Sequence, residues 1–161
     1  MPTAYINIGS NQGDRRANIA RAVALIADTL GLIPRVSDPV ESEPWGYDSD
    51  SAYLNVGLML DTTLTPCDLL DRLLAIEKSI SPASHRTADG AYADRLIDID
   101  LIACGDIVLD DVPTPCGNRL TLPHPRMHLR PFVLMPMLQL APTWIHPLVG
   151  LDSAMMLNAL K

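Results

Sequence analysis

At 161 residues the chain is long enough for one domain with a real core and too short for two ordinary ones, so a single domain over residues 1–161 is expected. Apolar residues make up 48% and charged residues 19%, which excludes a disordered chain, and a net charge of −7 argues against a nucleic-acid-binding surface. Three cysteines without C-x-x-C spacing exclude a disulfide framework and a zinc knuckle, and the lack of a leader pattern or a membrane-length apolar run predicts a soluble, cytoplasmic protein.

In chain order, Ala4-Tyr5-Ile6-Asn7-Ile8 alternates as a first strand ending at Gly9-Ser10-Asn11. Ile19, Val23, Ile26 and Leu30 then recur at helical spacing, with Gly31 as the stop. The turn between them lacks G-K-[ST] and is no dinucleotide fingerprint, so it reads as a strand-to-helix turn first and as backbone close to an active face second. Pro34 to Val40 reads as one strand, and residues 41–52 as a long polar loop. Tyr53 to Leu60 follows as a strand with Leu54, Val56, Leu58 and Leu60 toward the core and Tyr53 and Asn55 on the other face. Thr65-Pro66-Cys67-Asp68 opens a second helix whose buried stripe is Leu69, Leu70, Leu73, Ile76 and Ile80, with Glu77 at its edge. Residues 81–94 form a second long loop.

The stretch Arg95-Leu96-Ile97-Asp98-Ile99-Asp100-Leu101-Ile102-Ala103 reads as a strand that is apolar on both faces, and therefore as a covered, central one. Ile97, Ile99, Leu101 and Ala103 share one face; Leu96, Asp98, Asp100 and Ile102 share the other. Two carboxylates two residues apart lie about 7 Å apart at their Cα atoms, and burying both calls for positive charge between them. A divalent cation answers that need, magnesium or manganese by the hardness of the oxygen donors. Taken alone, the D-x-D serves equally as two solvated carboxylates at a strand end beside Arg95. The arginines Arg86, Arg95, Arg119, Arg126 and Arg130 gather around and after this strand, which in an acidic chain suits a small anionic ligand.

Residues 106–109 and 119–122 then read as a hairpin, Phe132 to Leu140 as a short apolar helix, and Ser153 to Leu160 as a terminal one. Strand, helix, strand, strand, helix, strand is the ferredoxin-like β-α-β-β-α-β order, an α+β fold. Both helices cover one face of a mainly antiparallel sheet, the hairpin and short helices follow, and the helix-free face stays open to ligands. Asp98, Asp100, Tyr53 and Asn55 all point to that face.

Several stretches together resemble the hydroxymethyl-dihydropterin pyrophosphokinase family. They are Tyr5-Ile6-Asn7-Ile8-Gly9-Ser10-Asn11, Tyr53-Leu54-Asn55, Ile76-Glu77, residues 95–101, Leu120-Thr121-Leu122-Pro123-His124-Pro125-Arg126, Arg130-Pro131-Phe132-Val133-Leu134 and Ala141-Pro142. The resemblance implies transfer of the β,γ-pyrophosphate of magnesium-ATP to the 6-hydroxymethyl group of 7,8-dihydropterin, with AMP released. It implies two magnesium ions on Asp98 and Asp100, and catalytic arginines at Arg86 and Arg95. It places the pterin between Tyr53 and Phe132, with Asn55 and the segment Ser42, Glu43, Pro44 and Trp45 reading the ring. Glu77, Arg86, Arg95, Leu101, Arg119, Thr121, His124 and Arg130 fall at nucleotide-facing positions, and the two long loops close over ATP.

The chain departs from the family pattern at Ser81-Pro82, where the family carries Gly-Arg, and at Tyr92, which stands where the family has a loop tryptophan. A proline supplies no charge, while Arg86, four residues later, resembles the family's second loop arginine, with His85 beside it. The alternatives are a paralogue that holds pterin or nucleotide without turnover, a regulatory ferredoxin-like module, and a D-x-D glycosyltransferase. The last is disfavoured by the short chain and the missing doubly wound pattern.

Overall fold

The computed structural model describes residues 2–43, 52–81 and 96–161. Its elements begin where the side chains cap them. Strand β1 (Thr3–Ser10) leads into helix α1 (Arg15–Leu30), where Asp14 accepts the Ala17 N–H at 3.1 Å. Gly31, at φ 66°, ends the helix in the left-handed region that glycine enters without steric cost. Helix α2 (Pro66–Ile80) starts in the same manner: Thr65 accepts the Asp68 N–H at 3.1 Å, and Pro66 occupies a position whose N–H would be unpaired in any helix.

The expected second strand is two short ones, β2 (Arg35–Val36) and β3 (Val40–Ser42), both paired antiparallel to β4 (Tyr53–Asp61). Between them Ser37 and Gly57 bond each other: the Ser37 N–H donates to the Gly57 carbonyl and the Gly57 N–H to Ser37 Oγ. β1 lies between β4 and β5 (Asp98–Cys104), antiparallel to both. The fold is ferredoxin-like, as the element order indicates.

Two expectations about the acidic strand change. Among the described residues β5 is an edge of the sheet and β1 its centre. The strand is apolar on both faces because both are covered, not because it is central. Its alternation also breaks, since Ile6 pairs with Leu101 while Tyr5 pairs with Ala103, leaving Ile102 as a one-residue bulge. Ile97, Ile99 and Leu101 pack with the helices, but Ala103 joins Ile102 on the opposite side and Cys104 returns to the helix side.

The remaining chain forms the hairpin β6 (Leu109–Pro113) and β7 (Arg119–Leu122), then α3 (Pro131–Leu140) and α4 (Ser153–Ala159). The first hairpin strand starts three residues later than its apolar pattern suggests, because Gly105 turns the chain at φ 54° and Ile107 still bonds back to Cys104. Asp71 of α2 pins the hairpin's tip: its Oδ1 accepts from Thr114 Oγ1 at 2.5 Å and Asn118 Nδ2 at 2.8 Å, and its Oδ2 from the Cys116 N–H at 3.0 Å.

Helices α1 and α2 cover one face of the sheet. The other face is not left open. Tyr5, Ile102 and Ala103 on it pack under Met127, Val133, Leu134, Met137 and Met156, so α3 and α4 cover part of it. Close approach of α3 depends on Gly57, since a Cβ there would fall 2.6 Å from Pro136 Cβ. What remains uncovered is the end of the face that carries the carboxylates.

Candidate active site

Register decides which side chains meet on the uncovered end. Directly paired residues of neighbouring strands point to the same face. Asp98, Gly9 and Asn55 therefore form one row across β5, β1 and β4, and Asp100, Asn7 and Gly57 form the next. Glycine in the middle of the first row leaves bare backbone between a carboxylate and an amide. A Cβ at Gly9 would meet Asn55 Oδ1 at 3.0 Å and the Tyr53 ring at 3.2 Å, so any side chain here would crowd both.

Over these rows lies a cleft of about 320 Å³. Its floor and rim bring together Ser42, Glu43, Tyr53, Asn55, Asp98, Asp100, His124, Arg130 and Phe132, all expected site residues. Asn7, Gly9 and Pro125 line it as well and were not singled out as ligand contacts by sequence reasoning, and Arg126 joins them from the arginine cluster that suits an anionic ligand. For Asn7 the available signal was a polar residue in the middle of an apolar strand; for Gly9 it was only the register.

Each wall is positioned by ordinary local chemistry. Asn55 spends both amide protons on the protein, donating to the Val40 carbonyl at 3.0 Å and to Ser42 Oγ at 2.9 Å. That fixes the amide and turns its Oδ1 toward Gly9 as an acceptor. His124 is placed by the bulge, because its N–H donates to the carbonyl of Ile102 at 2.7 Å. Its Nδ1 accepts the Arg126 N–H at 3.1 Å, which leaves the proton on Nε2. Arg130 ends the turn before α3 and sits 5.7 Å from the centroid of the Phe132 ring.

Burial, with the Arg130 and Arg126 charges behind it, holds the His124 imidazolium down to about 4. The side chain is neutral at pH 7, a donor rather than a cation. In the unfolded chain it titrates near 6.5. Between those values the unfolded state binds more protons, so this group stabilises the fold progressively as pH rises from about 4 to about 6.5. His124→Gln should flatten that part of the stability profile, as read by urea unfolding at several pH values; an unchanged slope would remove His124 from the linkage.

Four nucleotide-facing expectations fall outside the cleft wall. Leu101 is buried in the core under the helices. Glu77 is buried too, and its Oε2 accepts the Ile99 N–H of edge strand β5 at 2.7 Å, which satisfies a backbone donor that no other described strand reaches. Arg119 is bound on its own hairpin, with Nε donating to Asp111 Oδ1 at 3.0 Å and Nη2 to the Asp111 carbonyl. This pairing lifts the Arg119 pKa and depresses that of Asp111. Thr121 Oγ1 accepts the Asp111 N–H at 3.1 Å. Arg86, Arg95, Pro44 and Trp45 lie outside the described residues, as do Pro82, Tyr92 and most of both loops expected to close over ATP.

The donor set suits a hard cation: two carboxylates on one face, partly exposed to a cleft whose opposite rim is basic. No helix among the described residues is long and apolar enough to cross a membrane.

Comparison with known proteins gives a consistent result. A family model described as 7,8-dihydro-6-hydroxymethylpterin-pyrophosphokinase (HPPK) matches residues 5–142. The 2-amino-4-hydroxy-6-hydroxymethyldihydropteridine pyrophosphokinase of Porphyromonas gingivalis is 37% identical over 147 residues, which is 91% of this chain and 95% of that protein. The protein of the same name from Methylorubrum extorquens is 36% identical over 88% of this chain and 84% of its own, and the one from Aquifex aeolicus 32% over 92% and 86%. Among solved structures, Plasmodium falciparum HPPK-DHPS with pteroate superposes with a TM-score of 0.73 at 12% identity, covering 98% of this chain. This chain spans 42% of that longer one, so the likeness bears on the fold alone. Matched along its cleft-forming strands and on through α3, the chain belongs to the 7,8-dihydro-6-hydroxymethylpterin-pyrophosphokinase family.

Proposed function

We propose that the cleft binds 6-hydroxymethyl-7,8-dihydropterin beside magnesium-ATP and that its residues direct pyrophosphoryl transfer between them. Membership of the family makes the chain an ATP-dependent diphosphotransferase of folate biosynthesis. The observation that carries the site assignment is the row Asp98–Gly9–Asn55. It offers a cation-binding carboxylate at one end, a ring-binding acceptor at the other, and flat backbone between.

In this reading the ring lies across Gly9 between Tyr53 and Phe132, where stacking on both faces fixes its plane. Asn55 Oδ1 accepts from a ring N–H, and Ser42 and Glu43 border the same edge. The hydroxymethyl group then points toward β5. Asp98 and Asp100 would hold two magnesium ions there, and these would supply the positive charge that offsets the phosphates. The hydroxymethyl oxygen forms a bond to the β-phosphorus as the bond to the α,β-bridging oxygen breaks. AMP departs, and the hydroxyl proton passes to solvent.

Neutral His124 donates from Nε2 to a phosphate oxygen, and Arg126 and Arg130 add positive charge to the same rim, so positioning and electrostatics carry the reaction. From outside the described residues, Pro44 and Trp45 complete the pterin pocket, while Arg86 and Arg95 assist the transfer. Glu77, Leu101, Arg119 and Thr121 act by supporting β5 and the hairpin that flank the nucleotide. A cytosolic location suits three cysteines that are all free thiols.

The test is AMP formation from magnesium-ATP with and without the dihydropterin. Dihydropterin-dependent AMP from the wild type is expected. A silent wild type with turnover restored in Pro82→Arg would instead support the holding paralogue, and silence from both would overturn the reading.

A further inference from the structure

Asn7 sits in the second row of the face, between Asp100 and Gly57, at the inner end of the cleft. It is 5% exposed, and its Oδ1 has no hydrogen-bond partner among the described residues. A buried amide oxygen left unpaired costs about 1–3 kcal/mol, so a strand filled with alanine and isoleucine on either side gains nothing in stability from asparagine here.

Water does not resolve this. Behind Asn7, among the described residues, lies a void of about 10 Å³, walled by Tyr5, Ile102, Val133, Pro136 and their apolar neighbours. That is at the lower limit for one water, and most of the side chains around it are apolar, whereas a water needs two to four polar partners. The open side of Asn7 is the cleft itself. A rotation about χ2 exchanges the two ends of an amide within the same shape, so Asn7 can present Oδ1 on that side when a donor is bound there.

We propose that Asn7 is a substrate-recognition residue whose Oδ1 accepts a hydrogen bond from the bound dihydropterin. The inference rests on the pterin reading of the cleft. A ligand lying across Gly9 runs alongside Asn7, one residue pair further in, and its ring N–H groups and hydroxyl are the donors the floor lacks. Asn55 accepts at one end of the row and Asn7 from the side, so the two amides together fix the ring's position within its plane as well as its depth.

The experiment compares the wild type with Asn7→Leu, which keeps the shape and removes both polar ends, and with Asn7→Ala. Thermal unfolding without ligand is measured first, then titration with 6-hydroxymethyl-7,8-dihydropterin and, separately, with a magnesium-bound nonhydrolysable ATP analogue. Asn7→Leu should unfold at the same or a higher temperature than the wild type. Its dihydropterin affinity should fall about tenfold, and Asn7→Ala's likewise, as expected for one lost hydrogen bond of about 1.4 kcal/mol. Affinity for the ATP analogue should not change, and KM for dihydropterin should rise more than kcat falls.

Dihydropterin binding by both variants at wild-type strength would overturn the proposal. So would an equal loss for both ligands, or a less stable Asn7→Leu, since either marks a structural role. If the wild type itself binds no dihydropterin, the pterin reading falls, and the proposal with it; that result is distinct from a wild type that binds and variants that bind equally well.

Discussion

Asp98→Asn and Asp100→Asn should each reduce pyrophosphoryl transfer by about 10³-fold or more while leaving the unfolding temperature within a few degrees of the wild type. Both carboxylates are partly exposed to the cleft on one face of β5, with Asp98 opposite Gly9 and Asp100 opposite Asn7. Asparagine keeps the shape and removes the charge, so packing against β1 is untouched and the lost quantity is cation affinity. Metal-assisted transfer supplies several kcal/mol of charge stabilisation, and each 1.36 kcal/mol is a factor of ten in rate. Removing one of two repelling carboxylates also costs the fold little, which is why stability is expected to hold or rise slightly. The measurements are dihydropterin-dependent AMP formation at saturating magnesium and thermal unfolding of each variant. Near-normal rates in both variants would eliminate the metal site as drawn.

Gly57→Ala should be the most crowded alanine substitution among the described glycines, lowering stability by about 2–3 kcal/mol. The added Cβ would lie 2.6 Å from Pro136 Cβ and 3.4 Å from Leu140 Cδ1, against an ordinary carbon contact of about 3.5–4.0 Å. Leu140 can turn aside, but the Pro136 ring is rigid and fixed to the helix backbone, so α3 must lift from β4. Gly57 is otherwise tied in place through its bonds to Ser37, which prevents the strand from yielding instead. Because α3 carries Phe132 and begins at Arg130, its displacement should also raise KM for both substrates. For a chain of this size the stability loss corresponds to roughly 5–10 °C in Tm, measurable by thermal unfolding. An unchanged Tm would show that α3 does not rest on Gly57.

The contrast between these two variants shows what was legible in the sequence. Asp98 and Asp100 announce themselves by charge in an apolar strand, and the helices announce themselves by period and caps: Asp14, Gly31, Thr65 and Pro66 all act as their residue types suggest. Gly57 announces nothing, because its role is set by a helix eighty residues away. The bulge at Ile102 is equally silent, since a run of Leu-Ile-Ala-Cys carries no sign of which residue drops out of pairing. The same blindness made β5 look central: apolar residues on both faces report that a strand is covered, not that another strand lies beside it. At the site, Asn7 and Gly9 escaped notice because only cross-strand register sets them beside Asp100 and Asp98. Glu77, read as nucleotide-facing by resemblance, is seen bonded to the Ile99 N–H only once α2 is laid against β5.

The division of the sheet into two differently covered faces has a consequence for how the molecule comes into being. Most of the core between the sheet and α1 and α2 is drawn from the chain up to Cys104, whereas the layer on the other face is supplied by residues after it. As the chain emerges from synthesis, the sheet can close on its first two helices while Tyr5, Ile102 and Ala103 still face water. The carboxylates and Asn55 then exist without His124, Arg130 and Phe132, and the cleft has a floor without its far wall. Activity therefore depends on the last third of the chain: the segment that covers the sheet's second face is the one that supplies the cleft's far wall.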